Sequence, residues 1–244
     1  MTKKNAKLSK AAEARIANYQ AKSTLVGGRS ATRRKDNVLA LAIAGVSILV
    51  AVAAQLTYFH FGPGTPKPTP TAPDASIAEN RVWTGGMSVA GKPINFELYG
   101  DKAPKAVASF VDLTKKGFFE NISCHRLVTA GIFVLQCGDP EGTGQGGPGY
   151  TFGPVENAPA DNIYETGTLA MARQGDKGMS MGSQFFIVYG KSMIPADSAG
   201  GYTVFGKVTS NIAGIESIAA LGTADGKTDG APKDKVLLTA ISVK

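Results

Sequence analysis

The residues with the most chemical potential lie in one short stretch, CHRLVTAGIFVLQCGD, residues 124 to 139. It sets Cys124, His125, Arg126, Gln136 and Cys137 among apolar residues that read as two short strands joined by a Thr-Ala-Gly turn. A metal would use the thiols and the imidazole, but Cys124, His125 and Cys137 lack the spacing of about two to four residues typical of a structural zinc site. Covalent catalysis needs a nucleophile, a base and an orienting group within hydrogen-bond reach. His125 has no Asp or Glu close to it in sequence, the other histidine, His60, borders an apolar run, and no Gly-x-Ser-x-Gly elbow occurs. The other reading of these residues is the polar tip of a binding pocket. The two cysteines flank the turn symmetrically, so a disulfide across adjacent strands and a pair of buried free thiols are both open, and geometry decides between them.

These residues need a scaffold. From Arg81 onward the chain alternates short apolar runs with Gly, Pro, Asn and Asp: VWTGGMSVAG, KPINFELYG, SCHRLV, IFVLQCG, TLAMAR, SQFFIVYG, TVFGKV and KVLLTAISV. Numerous short strands with turn signals predict a closed antiparallel sheet, a barrel or a sandwich. Two segments change period. In APKAVASFVDLTKKG, Pro104 suits a first helical turn, Val107, Phe110, Val111 and Thr114 share a face, and Gly117 suits the left-handed stop. In SNIAGIESIAALG, Ser210 is the expected cap, Ile212, Ile215, Ile218 and Ala219 form a stripe, and Gly222 ends it.

Charge divides the rest of the 244 residues. Residues 1–36 carry ten of the 26 Lys and Arg against Glu13 and Asp36, while the remainder has 16 basic and 17 acidic residues. The folded part therefore offers no basic face for nucleic acid. Residues 38–54, VLALAIAGVSILVAVAA, are uncharged, and apolar character continues to Phe61. About 24 residues at 1.5 Å each span roughly 36 Å, enough for a ~30 Å hydrocarbon core. Arg33, Arg34 and Lys35 precede this run and Tyr58 and Phe59 end it, which puts the N-terminus in the cytoplasm and the remainder outside a plasma membrane. A cleaved signal peptide competes, because Ala51-Val52-Ala53 resembles a cleavage site. The long basic leader and the length of the apolar run favour an uncleaved anchor. The expected organisation is a basic tail over 1–36 lying on anionic lipid, a transmembrane helix over 37–61, a Pro-rich linker over 62–80 holding five of the 13 prolines, and a globular domain over 81–244.

Read in order, His125-Arg126, then F-x-x-Q-x-G-D at 133–139, GTGxGGPGY, LAMAR, GSQFFI at 182–187 and YTVFGKV at 202–208 resemble the cyclophilin-type peptidyl-prolyl isomerases, in a membrane-anchored bacterial form of Gram-positive, actinobacterial kind. The resemblance covers about residues 81–244. It implies an eight-stranded antiparallel barrel closed by two helices, a monomer, Pro-containing unfolded or exported polypeptides as partners, and no cofactor or metal. It implies that Arg126 is the donor to the prolyl nitrogen, and that Phe133, Val134, Phe186 and Tyr202 line the proline pocket. Gln136 and Gln184 would hold Arg126 and the substrate backbone, and Ala172 and Arg173 would offer main-chain groups. The chain departs from the usual pattern at Tyr202, where many relatives have His, at Val134 for Met and at Arg173 for Asn. Its only tryptophan is Trp83, so Met193 or Ile194 is expected to close the side of the pocket where many relatives have Trp. A catalytically weak module that grips Pro-containing segments is the alternative.

Overall fold

The computed structural model describes residues 10–63 and 69–244, with Ser30 and Ala31 as backbone only. Residues 1–9 of the expected tail and 64–68 of the expected linker lie outside the described residues. Two compact units divide the chain, ending and beginning at Pro68 and Thr69.

The first unit is one helix, α1 (Lys10–Phe61), which is long and apolar enough to cross a membrane. Leu39, Leu41, Leu49, Val50 and Phe59 are all exposed. An apolar run without a polar face has no core to define in water. The basic residues from Lys10 to Lys35 continue the same helix.

The second unit opens with a 3₁₀ turn, Ala75–Ala78, capped by the Asp74 carboxylate accepting from Ser76 N–H. Twelve strands and two helices follow: β1 (Val82–Val89), β2 (Lys92–Tyr99), α2 (Pro104–Lys115), β3 (Ser123–Cys124), β4 (Arg126–Val128), β5 (Phe133–Cys137), β6 (Ile163–Tyr164), β7 (Thr168–Met171), β8 (Phe185–Gly190), β9 (Ser192–Met193), β10 (Val204–Ser210), α3 (Ile212–Ala219), β11 (Asp229–Gly230) and β12 (Val236–Val243). The globular unit begins before Arg81, where the sequence reading placed its start. Ala78 is fully buried, and its carbonyl accepts the Trp83 indole N–H at 2.9 Å. The expected linker therefore supplies part of the core.

The closed eight-stranded barrel is corrected to a curled ten-stranded sheet in the order β11-β4-β5-β8-β7-β10-β2-β1-β12-β3, with a separate β6-β9 pair. The difference has a local cause. β3 and β4 are consecutive pieces of one run interrupted at His125; β3 pairs with β12 and β4 with β5, and His125 N–H donates to the Gln136 carbonyl. One sheet end thus runs directly into a strand near the other end.

The side-chain period of two divides the strands between two faces. Leu127, Leu135, Cys137, Leu169, Met171, Phe185 and Ile187 enter the main core. There Phe110 of α2 stacks with Phe96, Phe119, Phe185 and Phe205 at centroid distances of 5.0 to 5.9 Å. The alternate residues Val128, Val134, Ala170, Phe186 and Val188 form a second, smaller cluster with Tyr164 and Ile194. α2 starts at Pro104 as expected, but its first turn is capped from afar: the Glu156 carboxylate accepts Lys105 and Ala106 N–H, an anion at a helix N-terminus. Ser210 does not cap α3. Asn211 holds that position in the left-handed region, and the Ser210 hydroxyl accepts Asn95 N–H.

Candidate active site

The site is built on the face carrying the smaller cluster. Arg126, Gln136 and Phe186 are directly opposed in register across β4, β5 and β8, so three adjacent strands deliver them as one row. Below them lie Val134 and Val188, opposed in the same way. Tyr202 stacks edge-on to Phe186 at 5.6 Å, and Tyr164 lies 6.4 and 6.5 Å from those two rings. The result is a packed apolar cluster in which valines lie beside three aromatic rings. Ile194 is a buried member of the cluster, whereas Met193 points out, 64% exposed. Phe133 stands apart from this row: it packs against the main core at the edge of β5, where the register shifts, with its ring 6.0 Å from Tyr189.

Arg126 stands at the rim with three of its groups engaged. Nε and Nη2 donate to the two Asp229 oxygens at 2.8 and 2.7 Å, and Nη1 donates to Gln136 Oε1 at 3.3 Å. Gln136 Nε2 donates to Gln184 Oε1 at 2.9 Å, and Gln184 Nε2 donates to the Gly146 carbonyl at 2.9 Å. The chain of bonds has one consistent polarity. A carbonyl ends it as acceptor and a guanidinium as donor, so both amide orientations are forced. The Asp229 carboxylate, hydrogen-bonded to Arg126, holds the guanidinium pKa above its ordinary value, and Arg126 in turn holds Asp229 below its own.

The Gly146 anchor is set by Asp139. Its carboxylate is buried and accepts N–H groups of Glu141, Thr143 and Gly146 at 2.8 to 3.2 Å. Burial raises its pKa, but the main-chain donors of Glu141, Gly146 and Gly144 and the Thr143 hydroxyl outweigh this and hold it below its usual value. A side chain at Gly146 would collide with that carboxylate, so only glycine fits there. Gly138, at φ +92° and pressed on the Ser183 carbonyl, makes the matching turn after β5.

The Arg173 side chain is buried and spends its guanidinium on its own chain. It forks onto Asp197 at 2.8 and 2.7 Å and donates to the carbonyls of Gln174, Gly200 and Gly201, with its planar group 4.7 Å from the Tyr202 ring centroid. It fixes the 197–202 loop and thereby Tyr202. Ala172 N–H donates to the Gln184 carbonyl at 2.9 Å. A groove of about 1150 Å³ extends from Gln136 and Gln184 past Ala172 and Arg173, and Thr69–Ala72 form part of its wall.

Cys124 and Cys137 form a disulfide, which resolves the alternative the sequence left open and takes both sulfurs out of any metal donor set. His125 between them is half-buried, with both ring nitrogens shielded and neither paired among the described residues; burial, aided by the Arg126 charge and opposed by Asp139, lowers its pKa. Asp229 and Tyr164 were missed from sequence. Asp229 reaches Arg126 across 103 residues, and no spacing rule connects them.

Arg126, held by Asp229 and by the Gln136–Gln184 chain, thus stands at the edge of a cluster of aromatic rings and valines on one face of the sheet. The chain belongs to the cyclophilin-type peptidyl-prolyl cis-trans isomerases: the family model described as cyclophilin type peptidyl-prolyl cis-trans isomerase/CLD matches residues 85–243. It is 41% identical over 160 residues to a Mycobacterium tuberculosis protein named "Probable peptidyl-prolyl cis-trans isomerase B", covering 61% of this chain and 50% of that one. It is 45% identical over 124 residues to peptidyl-prolyl cis-trans isomerase B of Bacillus subtilis, covering 50% of this chain and 80% of the relative. The chain thus spans about half the length of the mycobacterial relative. The crystal structure of a Cryptosporidium parvum cyclophilin-type isomerase superposes with a TM-score of 0.57 at 28% identity, covering 67% of this chain and 98% of that one, and the same protein has been crystallised in the presence of the dipeptide Ala-Pro.

Proposed function

We propose that the domain accelerates rotation about Xaa-Pro bonds of exported polypeptides. The observation that carries this reading is Arg126 oriented by Gln136 and Asp229 beside the Phe186–Tyr202 ring pair. An Xaa-Pro bond rotates slowly because its nitrogen shares its lone pair with the carbonyl, giving a barrier of about 18–20 kcal/mol. In the twisted transition state that sharing is lost and the nitrogen accepts a hydrogen bond. With the proline ring seated against Phe186, Tyr202 and Val134, a guanidinium N–H aimed at this nitrogen binds the twisted form better than either planar form, which is the differential binding that catalysis requires. Gln136 and Gln184 orient the donor, and Phe133 supports β5 at the pocket edge.

In this reading α1 anchors the protein in a plasma membrane as a monomer. Its basic N-terminal part lies on anionic lipid in the cytoplasm and the isomerase stands outside, where the disulfide persists. The second reading, a module that grips Pro-containing segments with little turnover, has one observation in its favour: Asp229 already takes two of the five guanidinium N–H groups.

The test compares the full-length protein in detergent with Arg126→Ala on a short Ala-Pro peptide. A fall in kcat/KM of roughly 10- to 100-fold, about 1.4–2.7 kcal/mol of transition-state stabilisation, is expected. Wild-type binding of Pro peptides without any rate above background would sink the enzyme reading and leave the binding module.

A further inference from the structure

We propose that Asp229 is a positioning residue for turnover, holding the Arg126 guanidinium in the one orientation that points its remaining donors at the bound peptide. This rests on the assignment of Arg126 as the donor. Arg126 ends a flexible stem, and a long side chain near the surface has many rotamers of similar energy. Gln136 alone, through one bond of 3.3 Å, fixes a single nitrogen and leaves the plane free to swing about it. Asp229 removes that freedom. Its two oxygens take Nε and Nη2, a planar fork matched to the guanidinium edge. With Gln136 on Nη1, the plane is pinned at three nitrogens, and one N–H on each terminal nitrogen remains to donate.

The pair does little for stability. The side chains are 42% and 49% exposed, and ion pairs so open to water contribute little to folding. Yet the chain takes trouble to place this carboxylate. β11 is only two residues long, and neither residue is buried. It is held on β4 by the Asp229↔Val128 and Gly230↔Leu127 pairs, which set Asp229 on the diagonal from Arg126. The loop leading to it is tied by the Thr223 hydroxyl donating to the Lys227 carbonyl, by Lys227 N–H on Asp225 and by Ala224 N–H on the Ala231 carbonyl. Thr129 N–H donates to the Thr228 carbonyl at 2.8 Å and fixes the loop beside the pocket strand. A tied loop with no apolar cargo, ending in a carboxylate forked onto Arg126, is organised around that contact.

The experiment measures kcat and KM separately for the full-length protein in detergent, with Asp229→Asn, Asp229→Glu, Arg126→Ala and the double variant Arg126→Ala/Asp229→Asn. Asp229→Asn keeps the shape and loses the charge and one arm of the fork. It is expected to lower kcat about tenfold with KM nearly unchanged, the size of coupling usual for contacting residues. Asp229→Glu is expected to recover part of the loss, and the double variant to be no worse than Arg126→Ala, because Asp229 acts only through Arg126. Wild-type or raised kcat in Asp229→Asn, a loss confined to KM, or additive losses in the double variant would overturn the proposal. Full activity of Arg126→Ala would instead remove the assignment of Arg126 on which it rests.

Discussion

His125 immediately precedes Arg126 in the chain, and its half-buried ring makes the fold sensitive to mild acid. Its folded pKa is below the ordinary 6.5 because burial disfavours the imidazolium. An unfolded chain would therefore take up a proton that the folded one refuses, so the stabilisation is complete above pH 6.5 and is lost as pH falls below it. Asp139 and Asp197 give a second step of the same sign. Both are held below the ordinary 3.8, Asp139 by the main-chain donors that outweigh its burial, Asp197 chiefly by Arg173. Their contributions persist above 3.8 and are lost as pH falls through the lowered values. The thermal midpoint is expected to hold above about pH 6.5, to fall gently below it and to fall steeply below about pH 4. His125→Gln should remove the first step only; a His125→Gln profile superimposable on wild type between pH 4 and 7 would contradict this account.

At the scale of elements, the disulfide ties the end of β3 to the end of β5, immediately beside Arg126 and Gln136. Both cysteines are buried in the main core. Closing a separation of 13 residues restricts the unfolded chain, and its loss is expected to cost about 2–4 kcal/mol. Denaturant unfolding with and without reductant measures this. Activity in the reduced protein is expected to fall with it, because β4 and β5 are the strands that carry the guanidinium and its amide partner. Unchanged midpoint on full reduction would show that the bridge adds nothing to the fold. The elements themselves were readable from sequence wherever periodicity had one interpretation: α2 begins at Pro104 and stops near Gly117 as its pattern requires. The short pieces were not. β3, β6, β9 and β11 are two residues each, too brief for any period to register; β3 and β11 are held by the longer β12 and β4, while β6 and β9 pair with each other.

For the whole molecule, the boundary of the globular unit is the quantity most open to measurement. A fragment 69–244 keeps the 3₁₀ turn that buries Ala78 and receives the Trp83 indole, and it keeps the Thr69–Ala72 wall of the groove. A fragment 81–244 leaves that buried indole N–H without its acceptor and uncovers apolar surface beside α2. The shorter fragment is expected to be less stable by about 2–3 kcal/mol, combining an unpaired buried donor with lost burial. Comparison of the two by chemical denaturation decides it, and equal midpoints would mean that the turn is only appended.

The sequence alone determined what depends on residue type and short spacing: an apolar run able to span a bilayer, a basic segment before it, a mainly β domain with two helices, and the ordered motifs around Arg126, Gln136, Gln184, Phe186 and Tyr202. Alternation in β5 puts Val134 and Gln136 on one face, and the register with β8 adds Phe186 to it. The tertiary structure decided what depends on distant parts meeting. It joined Cys124 to Cys137, brought Asp229 to Arg126, put Glu156 at the start of α2, turned Arg173 inward onto Asp197, chose Ile194 over Met193 and set Phe133 toward the main core. None of these is encoded in a local pattern, because each follows from how a curled sheet folds residues far apart in sequence onto one another.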